Sequence, residues 1–299
     1  MRRTFHGQQR VTRWMPLVLL TRVLAGPSLP AQQASACPGG RTAAGLYYEC
    51  AGAGEDVMIL IHAFSVDRRM WEAQVDWLKR EARVIAYDLR GHGNSVAPEG
   101  PYTAHDDLLG LMDELHVPTA TLIGLSNGAR VALDFALTHP SRVRAMVLAG
   151  PGVSGYTSTA PMAWMDPVVS AIRSGDLVTA ADRWAQTPLM HIPGDAAAAS
   201  RVRELTQQNR AMWGYRTNPE VPLDPPAIGR LGEIGVPVLV VSGESDLPDL
   251  RRLANTVATE IPGATLVLIP GAGHMVNLAA PGPFNQALRS FLTQPRGGR

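Results

Sequence analysis

The chain has 299 residues, 45% of them hydrophobic and 18% charged, the balance of a soluble globular protein, so general disorder is excluded. A formal net charge of +1 offers no basic field for nucleic acid. Two cysteines, Cys37 and Cys50, are too few for a disulfide-built scaffold or a four-thiolate zinc site, and 29 glycines and 24 prolines without a period remove collagen and solenoid readings.

The first 36 residues differ from the rest. Arg2, Arg3, Arg10 and Arg13 precede a short apolar run, Trp14 to Leu20, and no acidic residue occurs before Glu49. Ala34-Ser35-Ala36 then offers an A-x-A cleavage site. This pattern predicts a signal peptide over 1–36 and a secreted or periplasmic protein, the apolar run being too short for a stable membrane span. Arg2-Arg3-Thr4-Phe5 also resembles the twin-arginine signal. Because Pro16 and Arg22 interrupt the run, the alternative is a cytoplasmic protein with a disordered extension. Export permits a Cys37–Cys50 disulfide. Lipidation of Cys37 is the weaker alternative, since Ala34 stands where a lipobox has Leu.

From Leu46 onward, apolar strand runs alternate with helical patterns. Strands are predicted at Leu46–Cys50, Val57–His62, Val84–Asp88, Ala120–Leu125, Ala145–Gly150, Val236–Gly243 and Thr265–Pro270. Helices are predicted over 68–80, 103–116, 128–138, 248–260 and 281–293. Continuous apolar strands separated by helices mean right-handed βαβ units and a mostly parallel, doubly wound α/β sheet. The alternation breaks between 152 and 225, where prolines separate short helical patterns. This stretch concentrates Met162, Trp164, Met165, Trp184, Met190, Met212, Trp213 and Tyr215, and it predicts a helical lid over the sheet. Most of these side chains are expected to pack the lid against the body. A few should touch substrate, with Trp164, Met165, Trp184 and Met190 the candidates, joined by Met275 on the opposite loop.

Gly124-Leu125-Ser126-Asn127-Gly128 follows a strand and opens a helix. In that context G-x-S-x-G is a sharp turn that exposes a serine hydroxyl above the sheet, beside the positive end of a helix. As a plain helix cap, Ser126 would not need glycine on both sides. A serine nucleophile needs a base, and the base needs an orienting carboxylate. His274 follows the last strand and Asp246 follows the strand before it, so both fall at strand carboxyl ends. His62, His92, His105, His116, His139 and His191 are the rival bases, and Glu244 is the rival acid, pointing the wrong way if Gly243 ends its strand.

The order Ser, Asp, His and the motif around Ser126 resemble the α/β-hydrolase superfamily, in its lid-bearing branch of esterases, enol-lactonases and carbon–carbon bond hydrolases. The resemblance runs from about Leu46 to Leu292. His62-Ala63-Phe64 is similar to the family's His-Gly-aromatic loop, with Ala63 in place of Gly, and Tyr87 to Ser95 matches a neighbouring segment. The resemblance implies backbone N–H groups of Phe64 and Asn127 as the oxyanion hole. It also implies the α/β-hydrolase fold, with the body at 37–151 and 226–299 and the lid at 152–225, inserted after the sixth strand. The family's first strand is short or missing, because the sequence before Gly45 has little apolar character. Some members carry the acid one strand earlier, where this chain reads Gly150-Pro151-Gly152.

The expected function is a serine hydrolase of small-molecule carboxylic esters with a Ser126–His274–Asp246 triad and no cofactor. No H-x-x-x-H or paired Cys/His group suggests a metal site, and no glycine-rich phosphate loop stands in the right context. The alternatives are enol-lactone or carbon–carbon bond hydrolysis with the same triad, or a non-catalytic ligand-binding member of the fold.

Overall fold

The computed structural model describes residues 38–215 and 219–294. The predicted signal segment, the mature start and Cys37 lie outside the described residues. Eight strands form one sheet: β1 Gly40–Arg41, β2 Tyr47–Ala51, β3 Val57–Ile61, β4 Arg83–Tyr87, β5 Ala120–Leu125, β6 Val143–Ala149, β7 Val238–Gly243 and β8 Thr265–Ile269. Their order is β1-β2-β4-β3-β5-β6-β7-β8. β1 and β2 run antiparallel, and every pairing from β4 to β8 is parallel. The edge strand ahead of Gly45 is present and only two residues long. Cys50, in β2, is disulfide-bonded.

The connecting helices are α1 Glu72–Leu78, α2 Ala104–Glu114, α3 Asn127–Thr138, α7 Pro248–Glu260, α8 Val276–Ala279 and α9 Pro281–Leu292, with α4 Asp166–Ser174, α5 Leu177–Ala185 and α6 Ala196–Gln208 between β6 and β7. Alternate strand residues face opposite sides of a sheet, and two apolar cores result. Met58 and Leu60 of β3 pack on one side with Leu78 of α1 and with Phe284 and Leu288 of α9. Ile59 and Ile61 pack on the other with Leu108 of α2, Phe135 of α3 and Val257 of α7. Both faces are thus covered, which is why the strands read as unbroken apolar runs. Each fully buried aliphatic or aromatic side chain contributes about 1.5–3 kcal/mol through the water it leaves.

The insertion between β6 and β7 carries its own helix signals. Asp176 accepts the Thr179 N–H at 2.9 Å to open α5, and Asp195 accepts the Ala198 N–H at 2.9 Å to open α6. Such caps are worth about 1 kcal/mol each. Its apolar stripe, including Val168, Ala181, Val202 and Leu205, joins the same core as Met58 and Leu60.

Helix 68–80 of the sequence reading divides in two. Arg68–Trp71 forms a 3₁₀ turn and α1 begins at Glu72. The cause is Asp67, whose carboxylate accepts from both the N–H and the guanidinium of Arg69 and tightens the first turn.

Candidate active site

The carboxyl ends of β3, β5, β7 and β8 lie in register, with Ile61 opposite Gly124 and Gly243 opposite Ile269. Residues that follow these strands therefore gather at one edge of the sheet. Ser126 stands between β5 and α3 with φ 54° and ψ −110°, a left-handed conformation that costs about 1–3 kcal/mol for a residue with a side chain. Three backbone hydrogen bonds hold it there. The Ser126 N–H donates to Ala149 O at 2.9 Å, while Ser126 O accepts from Gly152 and Arg130 at 3.0 and 3.1 Å. The flanking glycines are a packing necessity. A Cβ on Gly124 would overlap the Gly128 backbone, and one on Gly128 would overlap the Ile61 carbonyl. The Ser126 hydroxyl caps no helix N–H, so the cap reading is set aside.

His274 and Asp246 meet across the ends of β7 and β8. The His274 Nδ1–H donates to Asp246 Oδ2 at 2.9 Å, and both side chains are buried. The other carboxylate oxygen accepts the Leu247 N–H at 2.7 Å, which fixes the plane of the acid. Glu244, the rival acid, is exposed, as is His191 in the insertion. The imidazole lies against Gly150, whose φ is +44°; a Cβ there would come within 3.0 Å of Nδ1.

The loop after β3 is held by two buried histidines. His62 donates from Nδ1 to Ala63 O at 2.7 Å and accepts the Leu89 N–H on Nε2 at 2.8 Å. Those partners demand a neutral ring. Burial lowers its pKa to about 4, the hydrogen bond to Ala63 only partly opposing this. His92, 5.0 Å away between ring centroids, is likewise lowered to about 4, by burial and then by His62. Because a peptide is planar and trans, fixing Ala63 C=O also fixes the opposite direction of the Phe64 N–H. Neither that N–H nor the Asn127 N–H meets a protein acceptor among the described residues.

Phe64 and Asn127 both line a cavity of about 650 Å³ roofed by the insertion. Its apolar walls include Leu89, Val153, Ile172, Met212, Trp213 and Tyr215. Among the described residues, the guanidiniums that face it, those of Arg90 and Arg130, are already engaged. Arg90 makes a two-bond pair with Asp107 at 2.9 and 2.6 Å. Arg130 spans Asn127 Oδ1, Asp134 and Glu220 at 2.8, 3.1 and 2.6 Å. Tyr102, under Arg90, is pushed up to about 12 by burial and by Glu220 and Asp107, and keeps its O–H as a donor.

None of the five side chains expected at substrate lines this cavity. Trp184, Met190 and Met275 are buried in the core, and Trp164 and Met165 pack against it. Short helices need their largest apolar residues to make a core, so size did not mark the exposed wall. The sequence reading also missed Arg90, Tyr102, Arg130 and Tyr156. Arg90, Tyr102 and Tyr156 stand in segments that follow β4 and β6, and Arg130 lies one turn into α3. Inspection of every segment after a parallel strand would have found them. Among the described residues no group of three or more His, Cys, Asp or Glu is placed to hold a metal ion, and no helix is long and apolar enough to cross a membrane.

A model of the alpha/beta hydrolase family matches residues 58–287. The chain is 26% identical over 246 residues to 3-oxoadipate enol-lactonase 2 of Acinetobacter baylyi, covering 80% of this chain and 90% of that protein. Among solved structures it resembles a hydrolase from Pseudomonas aeruginosa at 30% identity and TM-score 0.67, covering 83% of this chain and 94% of that one. It is also similar to a thermophilic esterase from Thermogutta terrifontis, at 26% identity and TM-score 0.66, with 83% and 92% covered.

Proposed function

Since this chain belongs to the alpha/beta hydrolase family, we propose that it is a serine hydrolase cleaving small carboxylic esters through Ser126, His274 and Asp246. The observation that carries the proposal is Ser126 in a left-handed turn after β5, at the same edge of the sheet as the buried, hydrogen-bonded His274–Asp246 pair. His274 Nε2 takes the hydroxyl proton as Ser126 Oγ attacks the ester carbonyl, and Asp246 stabilises the imidazolium and keeps its tautomer. The Phe64 and Asn127 N–H groups receive the oxyanion. When the tetrahedral intermediate breaks, His274 returns the proton to the leaving alkoxide. A water, deprotonated in turn by His274, then releases the acyl group.

The insertion serves as a lid, and the cavity beneath it takes the acyl or alkoxy group. With the guanidiniums of Arg90 and Arg130 bound to carboxylates, the described wall of the cavity suits uncharged esters better than esters carrying a free carboxylate. Enol-lactone hydrolysis is the second reading, favoured by the Acinetobacter baylyi relative. Export is part of the proposal: a disulfide at Cys50 suits an oxidising compartment, as the residues before Cys37 suit a signal.

A fluorophosphonate probe should label the protein once, at Ser126, and a panel of p-nitrophenyl esters and enol-lactones should rank the two chemistries. Labelling that persists in Ser126→Ala overturns the nucleophile. Turnover of lactones alone overturns the ester reading and leaves the triad.

A further inference from the structure

The loop that presents the Phe64 N–H contains a second residue with a side chain in the left-handed region, Ser65, at φ 67° and fully buried. Its neighbours on the amino side are anchored by the body of the protein. His62 holds Ala63 O, and the Ala63 N–H points at Met70 Sδ at 3.3 Å. Ser65 itself is held from the other side. The indole Nε1–H of Trp184, on α5 of the insertion, donates to Ser65 Oγ at 2.5 Å, with both residues buried. The Phe64 ring is wedged edge-on between Trp184 and Trp213, at centroid distances of 5.7 and 5.3 Å.

We propose that Trp184 is a positioning residue for the oxyanion hole: its indole N–H keeps Ser65 left-handed and so keeps the Phe64 N–H aimed at the reacting carbonyl. The physical reason is strain. A left-handed Ser is disfavoured, so an unrestrained turn relaxes by rotating the Phe64–Ser65 peptide, which pulls on the Ala63–Phe64 peptide that a single His62 hydrogen bond holds. His62 grips that segment at one end only. A buried hydrogen bond on Ser65 Oγ offsets the strain at the other end, and it is made from the insertion rather than from the sheet. Trp184 thus acts on the chemistry without lining the cavity. The inference rests on the serine-hydrolase reading above.

The test uses the full chain and a fluorophosphonate, whose phosphoryl oxygen occupies the oxyanion hole as Ser126 Oγ displaces fluoride. Trp184→Phe keeps an aromatic ring and removes the donor. The inactivation rate at saturation should fall about tenfold, short of the 100–1,000-fold that loss of a whole oxyanion donor costs, while the half-saturating concentration stays within twofold. Ser65→Gly provides the second arm, because glycine adopts φ 67° without strain. In the Ser65→Gly background, Trp184→Phe should change the rate less than twofold. A pocket-wall role would raise the half-saturating concentration and spare the rate. A packing role would lower the rate equally in both backgrounds. Either result overturns the proposal, as does an unchanged rate in Trp184→Phe. Failure of the wild type to be labelled at Ser126 would instead overturn the serine-hydrolase reading, and the positioning role with it.

Discussion

The floor and the roof of the site are built by different means. Ser126, Asp246 and His274 follow β5, β7 and β8, so their places are set by main-chain ladders in register and by backbones in contact at Gly124 and Gly128. Among the described residues the insertion above them shares no ladder with the sheet, and its one bridge, Tyr102 to Glu220, reaches the segment just before α2. Side chains tie it down: Trp184 to Ser65, Asn209 to Asp67, Arg201 to Glu72 and Glu220 to Arg130. A single side-chain hydrogen bond contributes about 1 kcal/mol net, whereas a ladder forms and breaks cooperatively. Groups placed by backbone depend less on any single side chain than the insertion does, and the insertion can be remodelled residue by residue.

The largest expected effect tests the floor. Ser126→Ala should lower ester turnover on the order of 10⁴-fold or more and leave the melting temperature unchanged or slightly raised, since the strained turn loses only a hydroxyl. A melting temperature that collapses with activity would mean that Ser126 is structural.

Acid should weaken the floor before the roof. The folded state keeps His62 and His92 neutral, with burial lowering both to about 4, against about 6.5 in the unfolded chain. Between those values the unfolded chain binds more protons, so stability is fully present above about pH 6.5 and falls as pH drops towards 4. The slope is up to about 1.4 kcal/mol per pH unit for each histidine. Denaturant titrations of wild type and His92→Asn should show a shallower acid slope in the variant. Equal slopes would break the assignment.

A smaller effect lies at the seam. Asn209 accepts the Gly93 N–H at 2.7 Å and donates to Asp67 at 2.8 Å, and it is buried. Burial works against the Asp67 carboxylate, yet Arg69 and Asn209 hold its pKa down at about 2. Asn209→Ala leaves both groups short of a partner and should cost about 2 kcal/mol in urea unfolding. Smallest is Arg201→Ala. Its pair with Glu72, 2.6 Å long, joins α6 to α1 in solvent and should be worth less than about 1 kcal/mol. If Arg201 proves costlier than Asn209, the insertion is held at its rim rather than at its seam.

Legibility in the sequence follows the same division. β5 and α7 occupy the residues their patterns predicted, 120–125 and 248–260, because unbroken apolar runs and a helix opened by Pro248 are local signals. Ser126, Asp246 and His274 were marked by motif and by place after a strand, and Asp246 and His274 are hydrogen-bonded partners. The 3₁₀ turn at Arg68–Trp71 has a local signal, Asp67 capping it through the Arg69 N–H two residues on, which the helical pattern over 68–80 concealed. The cavity wall escaped for a different reason. Periodicity shows that a helix has an apolar stripe, but not whether that stripe meets a core or a void. Trp184 and Trp213 are both large and both in the insertion, yet only Trp213 reaches the cavity.

Gly150 limits the routes by which this site could be rebuilt. Relocating the carboxylate from the end of β7 to the end of β6 would place a side chain at position 150, against the imidazole it is meant to serve and on a backbone turned to φ +44°. Asp246→Asn combined with Gly150→Asp therefore would not be a simple exchange of one acid for another, because the ring must shift before the new carboxylate can be seated.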